Sequence, residues 1–284
     1  MNKQSVLEIF EQISDSVISF LENHPGVTEV EFNERQGVAE VLLSNWEEEN
    51  APYTLPDDIK SFLQISDGLL LQWKIRMNSQ TQPLGQMHVN KLHDIKPFPM
   101  KQYILRSLGD DPPFPDQNDL SDIKVFDLDK NVKDGRLGLV YKDNVFNPQI
   151  YFQDLSGDWF FIANSFTDYF RLMVMHLGLP HWQYAFTEVG LDNISQQWFR
   201  FLSPERLAID IKSRKKQVKK QKKQKKEVKK DRVGMHNIKR RRNASGFYSQ
   251  LPEEGRSGKK KDHKGKKHRT KAKKKANESI SKEP

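Results

Sequence analysis

The sequence predicts an α+β fold: a central, mostly antiparallel sheet flanked by helices, followed by a long basic C-terminal tail that stays disordered. Three observations carry this expectation. Apolar residues recur at helical three- and four-residue steps near the start and again after residue 165. Between those stretches, from residue 123 to 163, short aromatic and β-branched runs alternate with turn residues, as strands do. Beyond about residue 210 apolar residues become scarce and the charge reverses. Residues 1–210 carry 17 Lys+Arg against 31 Asp+Glu, a net of −14, whereas residues 211–284 carry 30 against 7, a net of +23. The overall +9 therefore hides an acidic body, residues 1–210, joined to a polybasic tail, residues 211–284. Such a tail attracts acidic partners, or the body itself.

Taken in order, Val6, Ile9, Phe10, Ile13, Val17, Phe20 and Leu21 form one face of an opening helix, which Pro25-Gly26 stops. Val38, Val41, Leu42, Leu43 and Trp46 predict a second helix ending in Glu47-Glu48-Glu49, a carboxylate run expected to be solvated surface rather than a metal site. Next comes the best-punctuated stretch in the chain, Leu55 to Gly68. Pro56 suits the first turn of a helix, where no N–H partner is missed. Asp57 and Asp58 sit where the helix dipole favours carboxylates. Ile59, Phe62, Leu63 and Ile65 make the apolar stripe, and Gly68 supplies a left-handed stop. Leu69-Leu70-Leu71-Gln72-Trp73 then reads as a strand extending to about Met77.

Residues 78–120, polar and proline-dense, read as a loop or an excursion from the core. His88 and His93 within them are five residues apart, the wrong interval for two ligands on one helical face. The strand signal returns with Ile123–Phe126, Leu137–Tyr141, Ile150–Phe152 and Trp159–Ala163, and Ser156-Gly157 fits a hairpin turn. Because Trp159–Ala163 is apolar on both alternating faces, it is expected inside the sheet. Ser165-Phe166-Thr167-Asp168 has the form of a capping box. Phe166, Tyr169, Phe170, Met173 and Leu177 give the face of the helix that follows, which Gly178 and Pro180 end. An aromatic-rich helical stretch, Trp182 to Leu202, completes the body. Such aromatics are first of all core, and any excess over one core's needs is a partner surface.

These residues resemble a known family. The Leu55-Pro56…Ile59-Lys60…Phe62-Leu63…Gly68 helix-turn-strand resembles the signature of the SMI1/KNR4 superfamily, an α+β fold of regulatory and immunity proteins. The corner Ala163-Asn164-Ser165-Phe166 resembles its second hallmark, where the last strand hands over to a helix. Leu55, Pro56, Phe62, Gly68, Ser165 and Phe166 are thus fold-signature residues, and the match covers about residues 40–180. The proline-rich excursion at 97–115 departs from the pattern and leaves the register of the middle strands open. Within the superfamily, residues 1–210 resemble subunits of tubulin polyglutamylase complexes. That resemblance implies a non-catalytic scaffold or adaptor without a cofactor of its own. Glutamate chains would be added by a separate tubulin-tyrosine-ligase-like subunit, which would hold the ATP and magnesium. Implied partners are the other subunits and tubulin or microtubules; implied locations are the cytoplasm and cytoskeleton, at the centrosome, centriolar satellites and ciliary base.

The residues themselves announce no chemistry. There is no cysteine, which removes disulfides, zinc-thiolate sites and cysteine nucleophiles. No apolar run approaches the roughly 20 residues that span a bilayer, and no secretory signal opens the chain, so a soluble intracellular protein is expected. A calcium loop started by Asp127-Leu128-Asp129 fails at Val132 and again at Gly138. Neither a phosphate cradle nor a nucleophile elbow is present. His176 and His181 could each act as a base, but neither has a partner nearby in sequence.

In the tail, Pro204 to Ile209 starts a helix that a lysine-rich run then opposes by like charge. Lys215, Lys216, Lys219, Lys220, Lys222, Lys223, Lys225, Lys226, Arg240, Arg241 and Arg242 are candidate polyanion-binding residues. Acidic tubulin tails, RNA and acidic lipid headgroups all suit them. A nuclear nucleic-acid-associated adaptor using the same tail is therefore the alternative, although no sequence-reading motif accompanies the basic run. A stand-alone immunity or cell-wall module, also seen in the superfamily, fits a long lysine tail poorly.

Overall fold

The structure, a computed structural model, describes residues 3–33, 35–99, 123–142 and 146–216. Six helices and seven strands follow one another. Helix α1 spans Lys3–Asn23, and its Phe10, Val17 and Leu21 are buried. Strand β1, Val27–Phe32, precedes α2, Glu40–Glu49, which buries Leu43 and Trp46 and leaves Val41 and Leu42 outside. The Trp46 indole donates to the Ile95 carbonyl at 2.9 Å, so this large ring is buried without an orphaned N–H.

Helix α3, Asp57–Ile65, starts directly after Pro56, whose φ of −58° already suits a helix entry. It ends two residues earlier than the glycine suggests: Ser66 is the cap, and Gly68, at φ +80°, turns the chain into β2, Leu69–Met77. Along β2, Leu69, Leu71, Trp73 and Ile75 are buried in strict alternation.

The expected loop at 78–120 is corrected over its first part. Residues Gln80–Val89 form β3, paired with β2 over its full length from Leu69↔Val89 to Met77↔Gln80. The hairpin turn is Asn78-Ser79, both at positive φ, a two-residue geometry that matches strand twist. Polar outward residues hid this strand, as did Pro83 and Gly85, which sit beside a register shift after Trp73. Gly85 is required there, because a Cβ at that position would lie 1.9 Å from the Trp73 indole nitrogen.

The second sheet is a meander of β4 (Lys124–Asp129), β5 (Gly135–Tyr141), β6 (Gln149–Asp154) and β7 (Trp159–Ala163), all antiparallel and in that order. The first sheet has the order β1-β2-β3. Strand β7 therefore pairs with β6 alone and is an edge strand, not the interior strand expected from its two apolar faces. Those faces have another cause. The inner face of the sheet joins the main core, while Val125, Val140, Tyr151 and Trp159 on the outer face pack with Phe98 and Ile123 into a second, smaller one.

Helix α4, Phe166–Met175, begins at Ser165, whose hydroxyl accepts from the Asp168 amide at 3.2 Å as the capping box predicts. A short 3-10 turn, Trp182–Phe186, leads to α5, Asn193–Leu202, and residues 204–216 form α6. The main core runs from Phe10 to Leu207 and joins both sheets to all six helices. None of the described helices is long and apolar enough to cross a membrane.

Candidate functional site: the joined helix corners

The two signature corners, about 100 residues apart in sequence, meet in space through a single carboxylate. Asp58, in the first turn of α3, accepts the Ile59 amide on Oδ1 at 2.9 Å. Its Oδ2 accepts both the amide and the hydroxyl of Thr167, at 2.9 and 3.2 Å, in the first turn of α4. One negative charge thus serves the positive ends of two helices and satisfies an amide that no intrahelical carbonyl reaches. Beneath it, Phe62 and Phe166 approach to 5.0 Å between ring centroids, with Phe10 and Phe170 completing the cluster. Of the signature residues, Leu55, Phe62 and Phe166 are core, and Pro56, Gly68 and Ser165 shape backbone.

Above this junction opens a groove of about 570 Å³ lined by residues of both corners. Its charged side chains face one another. Lys60 reaches Glu47 at 3.1 Å and Asp57 at 3.7 Å, Arg171 reaches Asp168 at 3.7 Å, and Gln64 donates to Glu40. This is the geometry of a self-satisfied surface that holds α2, α3 and α4 together. Among the described residues, no three His, Asp or Glu side chains are placed to hold a metal ion.

The histidines have partners that sequence distance concealed. His176 is fully buried and stacked on Trp182. Its Nδ1 lies 2.5 Å from the Leu172 carbonyl, and Nε2 lies 2.9 Å from Asp210 Oδ2 and 3.2 Å from Arg206 Nε. Arg206 also pairs with Asp210 one turn along α6. Burial pushes the Asp210 carboxyl up, but His176 and Arg206 outweigh it and hold the group below its ordinary range. Arg214 bonds the carbonyls of Glu188 and Val189, the latter at 2.8 Å. Helix α6 is thereby clasped to the body at two points before the basic run begins.

His181 is held between two carboxylates. Nε2 is 2.8 Å from Asp134, and Nδ1 is 3.1 Å from both Asp192 and the Ser195 hydroxyl. The set has the residue types of a hydrolytic triad but not its wiring. Ser195 is 2% exposed and gives its proton to Asp192 at 2.5 Å, so its oxygen is neither accessible nor activated by the imidazole. Asp192 is the N-cap of α5. Burial raises its carboxyl, and hydrogen bonds from Ser195, the Ile194 amide and His181 overcome this to hold it at about 2. His88, a residue of the expected loop, sits on β3 with Nδ1 2.6 Å from Asp129 and Nε2 facing Asn131 at 3.1 Å, which ties β3 to β4. All three histidines join distant segments, 34 to 47 residues apart.

Of the candidate polyanion-binding residues, Lys215 and Lys216 are exposed at the end of α6. Lys219, Lys220, Lys222, Lys223, Lys225, Lys226, Arg240, Arg241 and Arg242 lie outside the described residues.

Comparison with known proteins gives this architecture its place. A model of the SMI1 / KNR4 family (SUKH-1) matches residues 37–172, which contain both corners and the strands between them. Tubulin polyglutamylase complex subunit 2 of Rattus norvegicus is 31% identical over 217 residues, covering 68% of this chain and 71% of its own. The chain belongs to the tubulin polyglutamylase complex subunit 2 family. Its Homo sapiens member is 32% identical over 212 residues, with 68% and 70% covered, and the Mus musculus member is 30% identical over 217. No solved structure matches the chain. The SMI1/KNR4 match leaves α1, α5 and α6 outside it, so this member of the subunit 2 family surrounds the shared domain with helices from both ends.

Proposed function

We propose that this chain is a subunit of a tubulin polyglutamylase complex. In this reading it acts as a non-catalytic scaffold, while a tubulin-tyrosine-ligase-like subunit adds the glutamates. The observation that carries the reading is that relatives of this name align over two thirds of both chains at about 30% identity. The scaffold role is supported by the way polar groups are used. Asp58, His88, His176 and His181 each join distant segments of the fold, and the groove at the signature corners is lined by side chains already bonded to one another.

The basic run gives the scaffold a second task, to draw the complex toward the acidic tails of tubulin. Its support is the charge division, +23 over residues 211–284 against −14 over the body, together with the clasped base of α6. Binding to a polyanion through many lysines releases counterions and must weaken steeply with salt. Removing residues 217–284 keeps the Arg214 contacts, and microtubule co-sedimentation is then compared with the full chain from 50 to about 200 mM salt. The full chain is expected to bind at low salt and release at high salt, with the truncated chain failing to bind at either. Equal binding by both chains, independent of salt, would sink the tail's role. A tagged chain is expected at centrosomes, centriolar satellites and the ciliary base; a nucleolar signal would favour the nucleic-acid adaptor instead.

A further inference from the structure

Three rings make a row on the surface where α1 meets α5. Phe20 is 47% exposed, Phe201 is 59% exposed, and His24 lies between them at 6.2 and 5.7 Å between centroids. Ile194, two turns before Phe201 on the same helix, continues the apolar line at 68% exposure. The periodicity of α1 places Phe20 on the core face, yet the structure leaves it outside, beside the Pro25-Gly26 turn that ends the helix. Large apolar side chains aligned on a surface mark an interaction site more often than isolated ones do.

Next to this row, α1 forms a shallow depression of about 410 Å³ floored by Ser16, Ser19 and Asn23. Ser16 donates to the Gln12 carbonyl at 2.6 Å and Asn23 to the Ser19 carbonyl at 2.7 Å, so both polar groups turn back onto their own helix. Small side chains with inward-turned polar atoms let a second helix approach closely, while the adjoining rings supply the ridge for it to pack against. The flanking charge has one sign. Residues 11–33 contain Glu11, Asp15, Glu22, Glu29 and Glu31 and no Lys or Arg. Lys74 answers Glu29 and Glu31, which leaves the acidic rim to α1. Both helices lie outside residues 37–172, so the face is built from what this chain adds to the shared domain.

From this placement we infer that the Phe20–His24–Phe201 face docks an amphipathic helix of another subunit of the complex, one bearing Lys or Arg along its flank. The inference rests on the complex-subunit reading above. Apolar rings give the contact its grip, and the acidic rim selects a basic flank over an acidic one.

The test uses the full chain co-expressed with the other subunits of the polyglutamylase complex. Phe20→Asp with Phe201→Glu is expected to reduce recovery of the complex at least tenfold. Because both side chains are exposed, the melting temperature of the isolated chain should barely move. Independently, a photo-crosslinking phenylalanine analogue at position 201 of the otherwise unchanged chain should label a Lys- or Arg-bearing helix of a second subunit, which covers the case of a variant that fails to fold. If the unaltered chain never enters the complex, the subunit reading fails and takes this inference with it. If it enters and the double variant enters equally well, only the docking face is wrong. Labelling of a second copy of this chain, with dimers lost in the variant, would also overturn it in favour of self-association.

Discussion

Asp58 shows what one residue can mean at two levels. As the second residue of a helix it looks like an ordinary dipole partner, which contributes about 0.3–1 kcal/mol. In the fold it also holds the Thr167 amide and hydroxyl of a helix 109 residues away. Hydrogen bonds to a charged group contribute about 1.5–3 kcal/mol, so Asp58→Ala should destabilise the body by about 2–3 kcal/mol rather than the smaller amount. Asp58→Asn keeps an acceptor and should cost about 1 kcal/mol. Urea unfolding of the three proteins measures this; a cost for Asp58→Ala under 1 kcal/mol would show that the bridge contributes little. The signature residues around it were legible in sequence because Pro56, Gly68 and Ser165 act on their own backbone. The Thr167 contact was not, since nothing local to either corner names the other.

At the scale of an element, α6 was legible as the start of a helix from Pro204, but what anchors it was not. Its anchor is Asp210, paired with buried His176 and with Arg206. Asp210→Ala leaves those two cations or donors without their acceptor, and breaking a buried pair in this way costs about 3 kcal/mol. Amide exchange in α6 and α4 should accelerate accordingly. The pH dependence has a definite sign. Asp210 and Asp192 are both depressed in the fold, Asp192 to about 2, so their stabilisation is fully present above the ordinary carboxylate value near 3.8. It is lost as pH falls from there through the folded values. Exchange protection in α5 and α6 should thus fade between about pH 4 and pH 2, and Asp210→Asn should remove the α6 part of that dependence. A pH-independent α6 in the unaltered protein would contradict the clasp. Strand β3 teaches the complementary lesson. Its proline and glycine read as loop because the Trp73 ring that needs Gly85 lies on another strand.

Over the whole body, the core decides cooperativity. One apolar cluster joins Phe10 of α1, both sheets and Leu207 of α6, and His88 with Asp129 bonds one sheet to the other. With no seam between the two sheets, the body is expected to unfold in a single step. Far-UV circular dichroism and tryptophan fluorescence should give coincident urea transitions, since Trp73 reports the first sheet and Trp159 the second. Two separated midpoints would mean that the sheets are independent. The aromatic row at α1 and α5 also belongs to this scale, because it exists only where the chain's two flanking helices meet.

The sequence by itself determined the α+β class, the start of each signature helix, the meander of the second sheet and the opposite charges of body and tail. These follow from periodicity, turn residues and composition, all of which act over a few neighbouring residues. Only the tertiary structure decided that β7 is an edge, that β3 exists, that the histidines have carboxylates, and that Phe20 faces outward. Each of those depends on which distant segment packs alongside. That choice is made by burial of the whole apolar set at once, and no single stretch of the chain records it.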